Sequence, residues 1–274
     1  MTQHEEVPLP TLDGWALILG ASSGFGEAAA LALARAGVDI VGVHLDRRAT
    51  MPQVESIVSA IQSMERQAWF YNVNAADEDK RAEVLDDVVE RFAERGRSEK
   101  IRVLLHSLAF GTLKPLVAED AAEMVSQKQV DMTCDVMAHS LVYWVQDLLR
   151  RELLSNQGRI YAMTSTGSSQ VWRGYGVVSA AKAALESHIR QLALELGPRG
   201  ITANDICAGV TATPALKKIP DSTTMIEVAV RKNPSHRLTK PEDVARAIVA
   251  LAQPCTYLLT GNVLHVDGGE AHSG

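Results

Sequence analysis

Two residues in the stretch RGYGVVSAAKAALE have side chains suited to moving a proton, Tyr175 and Lys182. A phenol beside an ammonium has its ionised form favoured, so it donates a proton or hydrogen bond more readily near neutral pH. Seven positions on a helix are two turns, so the two residues fall on one face. A spacing of four would place them one turn apart, but four before Lys182 stands Val178. Gly174 and Gly176 flank the tyrosine, so helix geometry does not fix its direction tightly. Taken alone, the pair is as readily a surface tyrosine and a solvated lysine. Ser165, in MTSTGSS, closes an apolar run, where it is either a strand-end cap or a ligand contact.

The elements that must position these groups are read from periodicity. Short apolar runs at 15–20, 38–45, 67–73, 101–109, 158–165, 201–208 and 262–269 suit buried strands. Helical patterns fill 24–36, 50–65, 77–95, 120–150, 175–197 and 241–252. Continuous apolar strands alternating with helices imply a parallel sheet covered on both faces. With right-handed crossovers the expectation is one α/β domain over 1–274, a doubly wound Rossmann-type fold of about seven strands. The one long irregular region is 209–240. A connection that long in a compact domain is usually functional, here a lid.

Composition removes several function classes. The chain has 274 residues, 46% hydrophobic and 22% charged, with net charge −6. An acidic balance argues against nucleic acid or an anionic membrane surface as partner. The longest apolar stretches fall short of a membrane span. The start MTQHEEVPLPTLDG lacks the apolar core of a signal peptide. Cys134, Cys207 and Cys255 are far apart, which suits reduced thiols in a cytoplasmic protein. His4, His139, His188, His236, His265 and His272 show no metal-ligand spacing, so no metal site is expected.

A phosphate-binding signal lies between the first strand and the first helix, in LGASSGFGEAAALALARAG. Gly20, Gly24 and Gly26 let the chain turn tightly and bring its backbone close to a pyrophosphate. Ser22, Ser23 and Phe25 complete the turn, and the helix that follows offers free N–H groups and a positive dipole end. The spacing is GxxxGxG, and glycine turns also serve simple helix-on-strand packing. Cofactor choice is read after the second strand, in VHLDRRAT. An acid there binds ribose hydroxyls and favours NAD, whereas a base grips a 2′-phosphate and favours NADP. Arg47 and Arg48 weigh toward NADP, and Asp46 keeps NAD open.

These landmarks together resemble the short-chain dehydrogenase/reductase family, over about residues 13 to 270. Three of them are similar to its enoyl-acyl carrier protein reductase branch: HSLAFG at 106–111, Asp135 where the family commonly has an asparagine, and six residues between Tyr175 and Lys182. The resemblance implies NAD(P)H-dependent reduction of an enoyl thioester carbon–carbon bond, in fatty acid biosynthesis. Tyr175 would stabilise the substrate oxygen and Lys182 the nicotinamide ribose. It further implies cofactor contacts at His44, where the family's NAD-type acid usually falls, and at Asn72, Val73, Ser107, Leu108, Ala109, Gly209, Thr211 and Thr213. Ser165 with Tyr175 departs from the branch and resembles a ketoreductase pair, which keeps a 3-ketoacyl thioester or other carbonyl open as substrate. The family's four-helix interface implies a homotetramer or homodimer through 120–150 and 175–197. Lys217, Lys218, Arg231, Lys232 and Arg237 make the 209–240 loop basic, either as a solvated lid or as a face for an acidic acyl carrier protein.

Overall fold

The computed structural model describes residues 10–96, 98–219 and 222–273. Seven strands form one parallel sheet: β1 (Trp15–Leu19), β2 (Asp39–His44), β3 (Ala68–Asn72), β4 (Ile101–His106), β5 (Leu154–Thr164), β6 (Thr202–Ala208) and β7 (Val263–Val266). Their order is β3-β2-β1-β4-β5-β6-β7. Every residue of β1 and of β6 is buried, as strands covered on both faces must be. The order reverses at β1, which pairs with both β2 and β4. Such a reversal opens a crevice at the carboxyl ends of the strands, where α/β sheets bind ligands.

Eight α-helices surround the sheet: α1 (Gly24–Arg35), α2 (Met51–Ser63), α3 (Glu78–Glu94), α4 (Gln127–Cys134), α5 (Ser140–Arg150), α6 (Gly176–Leu196), α7 (Ser222–Lys232) and α8 (Pro241–Leu251). One apolar layer packs Val84, Leu85 and Val88 of α3, Leu141 and Trp144 of α5 and Leu185 and Ile189 of α6 onto the sheet. The other packs the alanine-rich face of α1 and Val244, Ile248 and Val249 of α8. Small side chains on α1 let its backbone come close to β1. Trp144 is fully buried and satisfies its indole by donating to the Ala75 carbonyl at 2.8 Å.

Three departures from the expected elements have local causes. The helix expected over 120–150 starts at Gln127, where Ser126 and Gln129 form a capping box, so the preceding acidic stretch is irregular. That helix is also broken by a π-helical turn at Asp135–His139. Just after it, the Ser140 hydroxyl donates to the Val136 carbonyl one turn back, a bond that competes with the backbone ladder. Third, the stretch 209–240 is not wholly irregular: a short 3₁₀ turn, Leu216–Lys218, and α7 lie within it. The prolines and the PDSTT turn dominated the sequence pattern there; Pro220 and Asp221 lie outside the described residues.

Candidate active site

The glycine turn is built around close backbone approach. Gly20 has φ +90°, and a Cβ on it would sit 2.4 Å from the Ser107 carbonyl oxygen. A Cβ on Gly26 would sit 2.0 Å from the Gly20 carbonyl oxygen. Only glycine at 26 therefore lets α1 start hard against the end of β1. Ser23 precedes α1 with extended backbone and makes no side-chain capping bond. The first N–H groups of α1 thus stay available for an anion. Thr213 lies against this turn, with its methyl 3.3 Å from where a Gly24 Cβ would be.

Beside the turn is a cavity of about 350 Å³. It gathers Phe25, Ser107, Leu108, Ala109, Ser165, Tyr175, Lys182, Gly209, Thr211 and Thr213, residues from five separate segments. Its inner wall is apolar, formed by Leu113, Met137, Met163 and Val178, and α7 closes one side with Met225 and Val228. A larger polar cleft, lined by Asp13, Arg66, Glu99 and Arg102, lies at the opposite edge of the sheet, away from the strand ends that carry ligands in such folds.

Tyr175 occupies the cap position of α6, and Lys182 lies two turns in, 6% exposed. The lysine donates to the Met163 carbonyl at 2.5 Å. Burial pushes its pKa down to about 8, with Asp205 and Glu186 opposing the fall. Burial raises the Tyr175 phenol, and the Ser165 hydroxyl opposes that rise by favouring the phenolate. Ser165 Oγ is itself buried and completes no hydrogen bond of good geometry, so it remains available to a substrate oxygen. His106, at the end of β4, is fully buried, with Nε2 2.9 Å from Ser140 Oγ. Ser140 spends its proton on Val136, so Nε2 carries the hydrogen in the His106–Ser140 bond. Burial, then the charge of Lys182, lowers its pKa to about 3.

A second group of expected contacts lies along β2 and β3. His44 is buried and its Nδ1 is 3.0 Å from Asp46. Burial alone would raise the Asp46 carboxyl; hydrogen bonds from Ser22, Thr50 and His44 outweigh it and bring the pKa below the usual value. Asp46 is thereby fixed against the glycine turn. Arg47 and Arg48 are exposed. Asn72 fastens the same loop, accepting from the Asp46 amide at 2.9 Å and donating to its carbonyl at 3.0 Å. Val73 donates its amide to the His44 carbonyl.

Asp135, standing where the family commonly has an asparagine, does not line the cavity; it begins the π-helical turn beside Tyr143, whose pKa is raised by burial first and then by the charge and hydrogen bond of Asp135. The side chain that this segment sends to the cavity is Met137. The sequence reading also passed over Glu270. It is 8% exposed, lines the cavity, and accepts from the Val210 amide at 3.1 Å. An acid directly after VDGG was the available signal.

A doubly wound sheet, a glycine turn at its switch point and a buried Tyr–Lys pair facing one cavity define a nicotinamide-dependent oxidoreductase. The chain belongs to the short-chain dehydrogenase/reductase family, through a family described as enoyl-(acyl carrier protein) reductase that matches residues 20–270. It is 31% identical over 190 residues to enoyl-acyl-carrier-protein reductase 2 of Rhizobium meliloti, whose name specifies NADH, covering 68% of this chain and 67% of that one. It is 30% identical over 253 residues to a 3-oxoacyl-acyl-carrier-protein reductase of Aggregatibacter actinomycetemcomitans, covering 92% and 97%. A crystal structure of a dehydrogenase/reductase from Sinorhizobium meliloti matches with TM-score 0.81 at 25% identity, covering 95% and 96%.

The site fits the cofactor this family uses. The turn that a Cβ would obstruct and the uncapped start of α1 suit the pyrophosphate. Lys182, Gly209, Thr211 and Thr213 line the cavity beside that turn, where the nicotinamide half would be held.

Proposed function

We propose that this protein reduces the carbon–carbon double bond of an enoyl thioester. The observation that carries the reading is the place of Tyr175 on α6. A tyrosine four before Lys182 would stand at 178; Tyr175 is three residues earlier, displaced by roughly 4.5 Å along the helix axis at 1.5 Å per residue. In carbonyl reduction the oxygen that gains charge is bonded to the carbon that receives hydride. In an enoyl thioester that oxygen lies three bonds from the β-carbon. An acid set back by one turn suits the longer reach.

The cofactor supplies the hydride. The protein's own groups do the rest. Tyr175 donates to the thioester oxygen as charge builds there, and Lys182 keeps positive charge beneath the site. Leu113, Met137 and Val178 form apolar walls suited to an acyl chain and exclude water from it. The basic residues Lys218 and Lys232 at the cavity suit an acidic carrier protein or the phosphate of a phosphopantetheine arm.

One observation supports carbonyl reduction as a second reading, namely the buried Ser165 hydroxyl beside Tyr175. Purified protein, mixed in turn with trans-2-enoyl and 3-ketoacyl thioesters, decides between them by the rate of reduced-nicotinamide consumption. Faster turnover of the ketoacyl series overturns the first reading.

The cofactor in this reading is NADH. A carboxylate fixed against the glycine turn receives ribose hydroxyls and repels a 2′-phosphate. That outweighs the two exposed arginines, which on sequence alone pointed to NADP. The reading includes assembly as a homotetramer or homodimer through α5 and α6, on whose surface Leu194 is 72% exposed.

A further inference from the structure

Among the described residues, Asp205 is the least explained buried charge. It is 0% exposed in the middle of β6, and neither carboxylate oxygen has a hydrogen-bond partner among the described residues. An acid with both oxygens orphaned in a core is costly, so its position needs an account.

Strand register supplies the geometry. His106 on β4 pairs with Ala162 on β5, and Ala162 pairs with Asp205 on β6. In a parallel sheet such partners share a face, so His106, Ala162 and Asp205 form one row across three strands. Ala162 belongs to the apolar layer under α6, which places the row on that face. Two strand spacings set His106 and Asp205 about 10 Å apart at the backbone, with the small Ala162 between them. Lys182, on the α6 that packs on this face, lies within electrostatic range of both ends of the row, while its ammonium donates to the Met163 carbonyl on β5 and not to Asp205. Glu186, one helical turn after Lys182, accepts from the Thr164 hydroxyl at 2.7 Å, and Arg190 follows one turn later at the exposed end of the stripe.

We infer that Asp205 is the counter-charge of Lys182: it keeps the lysine protonated and thereby sets the alkaline limit of activity, with Glu186 assisting from the outer end of the stripe. Asp205 acts through Lys182, so it is a positioning residue. The groups facing the pair are known on every side. From α6 come Glu186 and Arg190, from β4 the neutral His106, and from β6 the Cys207 thiol, which burial pushes up to about 12. From β5 comes Ala162, and from β7 Val263 stands opposite Asp205. Asp205 is thus the fully buried carboxylate of the set. Burial, then Glu186, raises its own pKa to about 8, against Lys182 and Arg190. Lysine and acid therefore titrate over the same range and stabilise each other's charged form.

The sign follows directly. With Asp205 ionised, the ammonium of Lys182 persists to higher pH. With a neutral side chain there, burial is less opposed and the ammonium is lost at lower pH. Asp205→Asn should therefore move the alkaline limb of the kcat/KM profile about one pH unit toward acid. Glu186→Gln, half-buried and a milder change to the fold, should move it the same way by less. Lysine side-chain NMR titration of isotopically labelled protein, with the Lys182 signal assigned by its loss in Lys182→Arg, reads the same shift without activity.

The inference rests on the reading of Tyr175 and Lys182 as the acid pair, and the experiment separates the two. Retained activity in Lys182→Ala overturns the site reading. A Lys182 titration that is unmoved in Asp205→Asn, or in Glu186→Gln should Asp205→Asn not fold, overturns the counter-charge alone.

Discussion

Gly26→Ala tests the cofactor turn with a single methyl group. Its Cβ would sit 2.0 Å from the Gly20 carbonyl oxygen and 2.8 Å from the Gly20 carbonyl carbon. Both neighbours are backbone, so no side chain can swing aside. The start of α1 must retreat by roughly 1 Å or more before the contact becomes attractive. Overpacking of this kind costs up to about 3 kcal/mol. For a chain of this size that lowers Tm by roughly 6–12 °C, at 2–4 °C per kcal/mol. The protein should still be folded at room temperature. Cofactor binding should suffer more than stability does. The retreat lengthens the helix-start N–H contacts to the pyrophosphate, each worth about 1.5–3 kcal/mol. Losing two of them weakens affinity by about 100-fold or more. Gly24→Ala is the milder control. Its φ of +57° costs about 1–2 kcal/mol for a residue with a Cβ, and the nearest neighbour is the Thr213 methyl at 3.3 Å. Quenching or enhancement of nicotinamide fluorescence gives affinity, and thermal melts give stability. If Gly26→Ala melts early yet binds cofactor as the parent does, the turn packs a helix and holds no pyrophosphate.

Three further outcomes follow from the same geometry. Tyr175→Phe should lower turnover by about 10²-fold or more, the scale of a general acid, with cofactor affinity nearly kept; an unchanged kcat removes the phenol from the chemistry. Replacing Arg47 and Arg48 together by Ala should leave the KM for NADH nearly unchanged, whereas Asp46→Asn should raise it and improve use of NADPH; the opposite pattern restores the arginines as a 2′-phosphate grip. Hydrogen exchange over 211–219 and 222–235 should slow when cofactor and thioester bind, because α7 sets Met225 and Val228 against the cavity; equal protection with and without ligands shows a fixed wall rather than a lid.

The fold was legible in the sequence because burial on both sheet faces forces continuous apolar strands. WALIL and IRVLLH need no partner information to read as interior strands. The glycine turn was legible for a related reason: the clash that a Cβ would make at Gly26 leaves a single residue type possible. The helix break at Asp135–His139 had no such signature. DVMAH contains no proline or glycine, and the competing Ser140–Val136 bond depends on tertiary placement of His106. The α7 turn of apolar residues was likewise masked by the prolines around it, since Met225 and Val228 find partners only across the cavity.

The same distinction explains which site residues could be found. Tyr175, Lys182 and Ser165 stand on consecutive segments, so their spacing along the chain already carries their relation in space. Asp135, read by its place on a helix, does not line the cavity: a position on a helix names a face only while the helix stays regular, and a π-helical turn begins there. Asp205 failed in the other direction. Within TANDICA an acid reads as an interruption of a strand, and nothing in its own neighbourhood marks it as functional. Its meaning comes from register: β4 and β5 must align His106 with Ala162, and β5 and β6 must align Ala162 with Asp205, before the acid comes to the sheet face on which α6 packs. Residues whose role is to set the charge of another group are therefore the hardest to read from sequence. The relation that gives them a role spans three strands and a helix, and only the folded sheet expresses it.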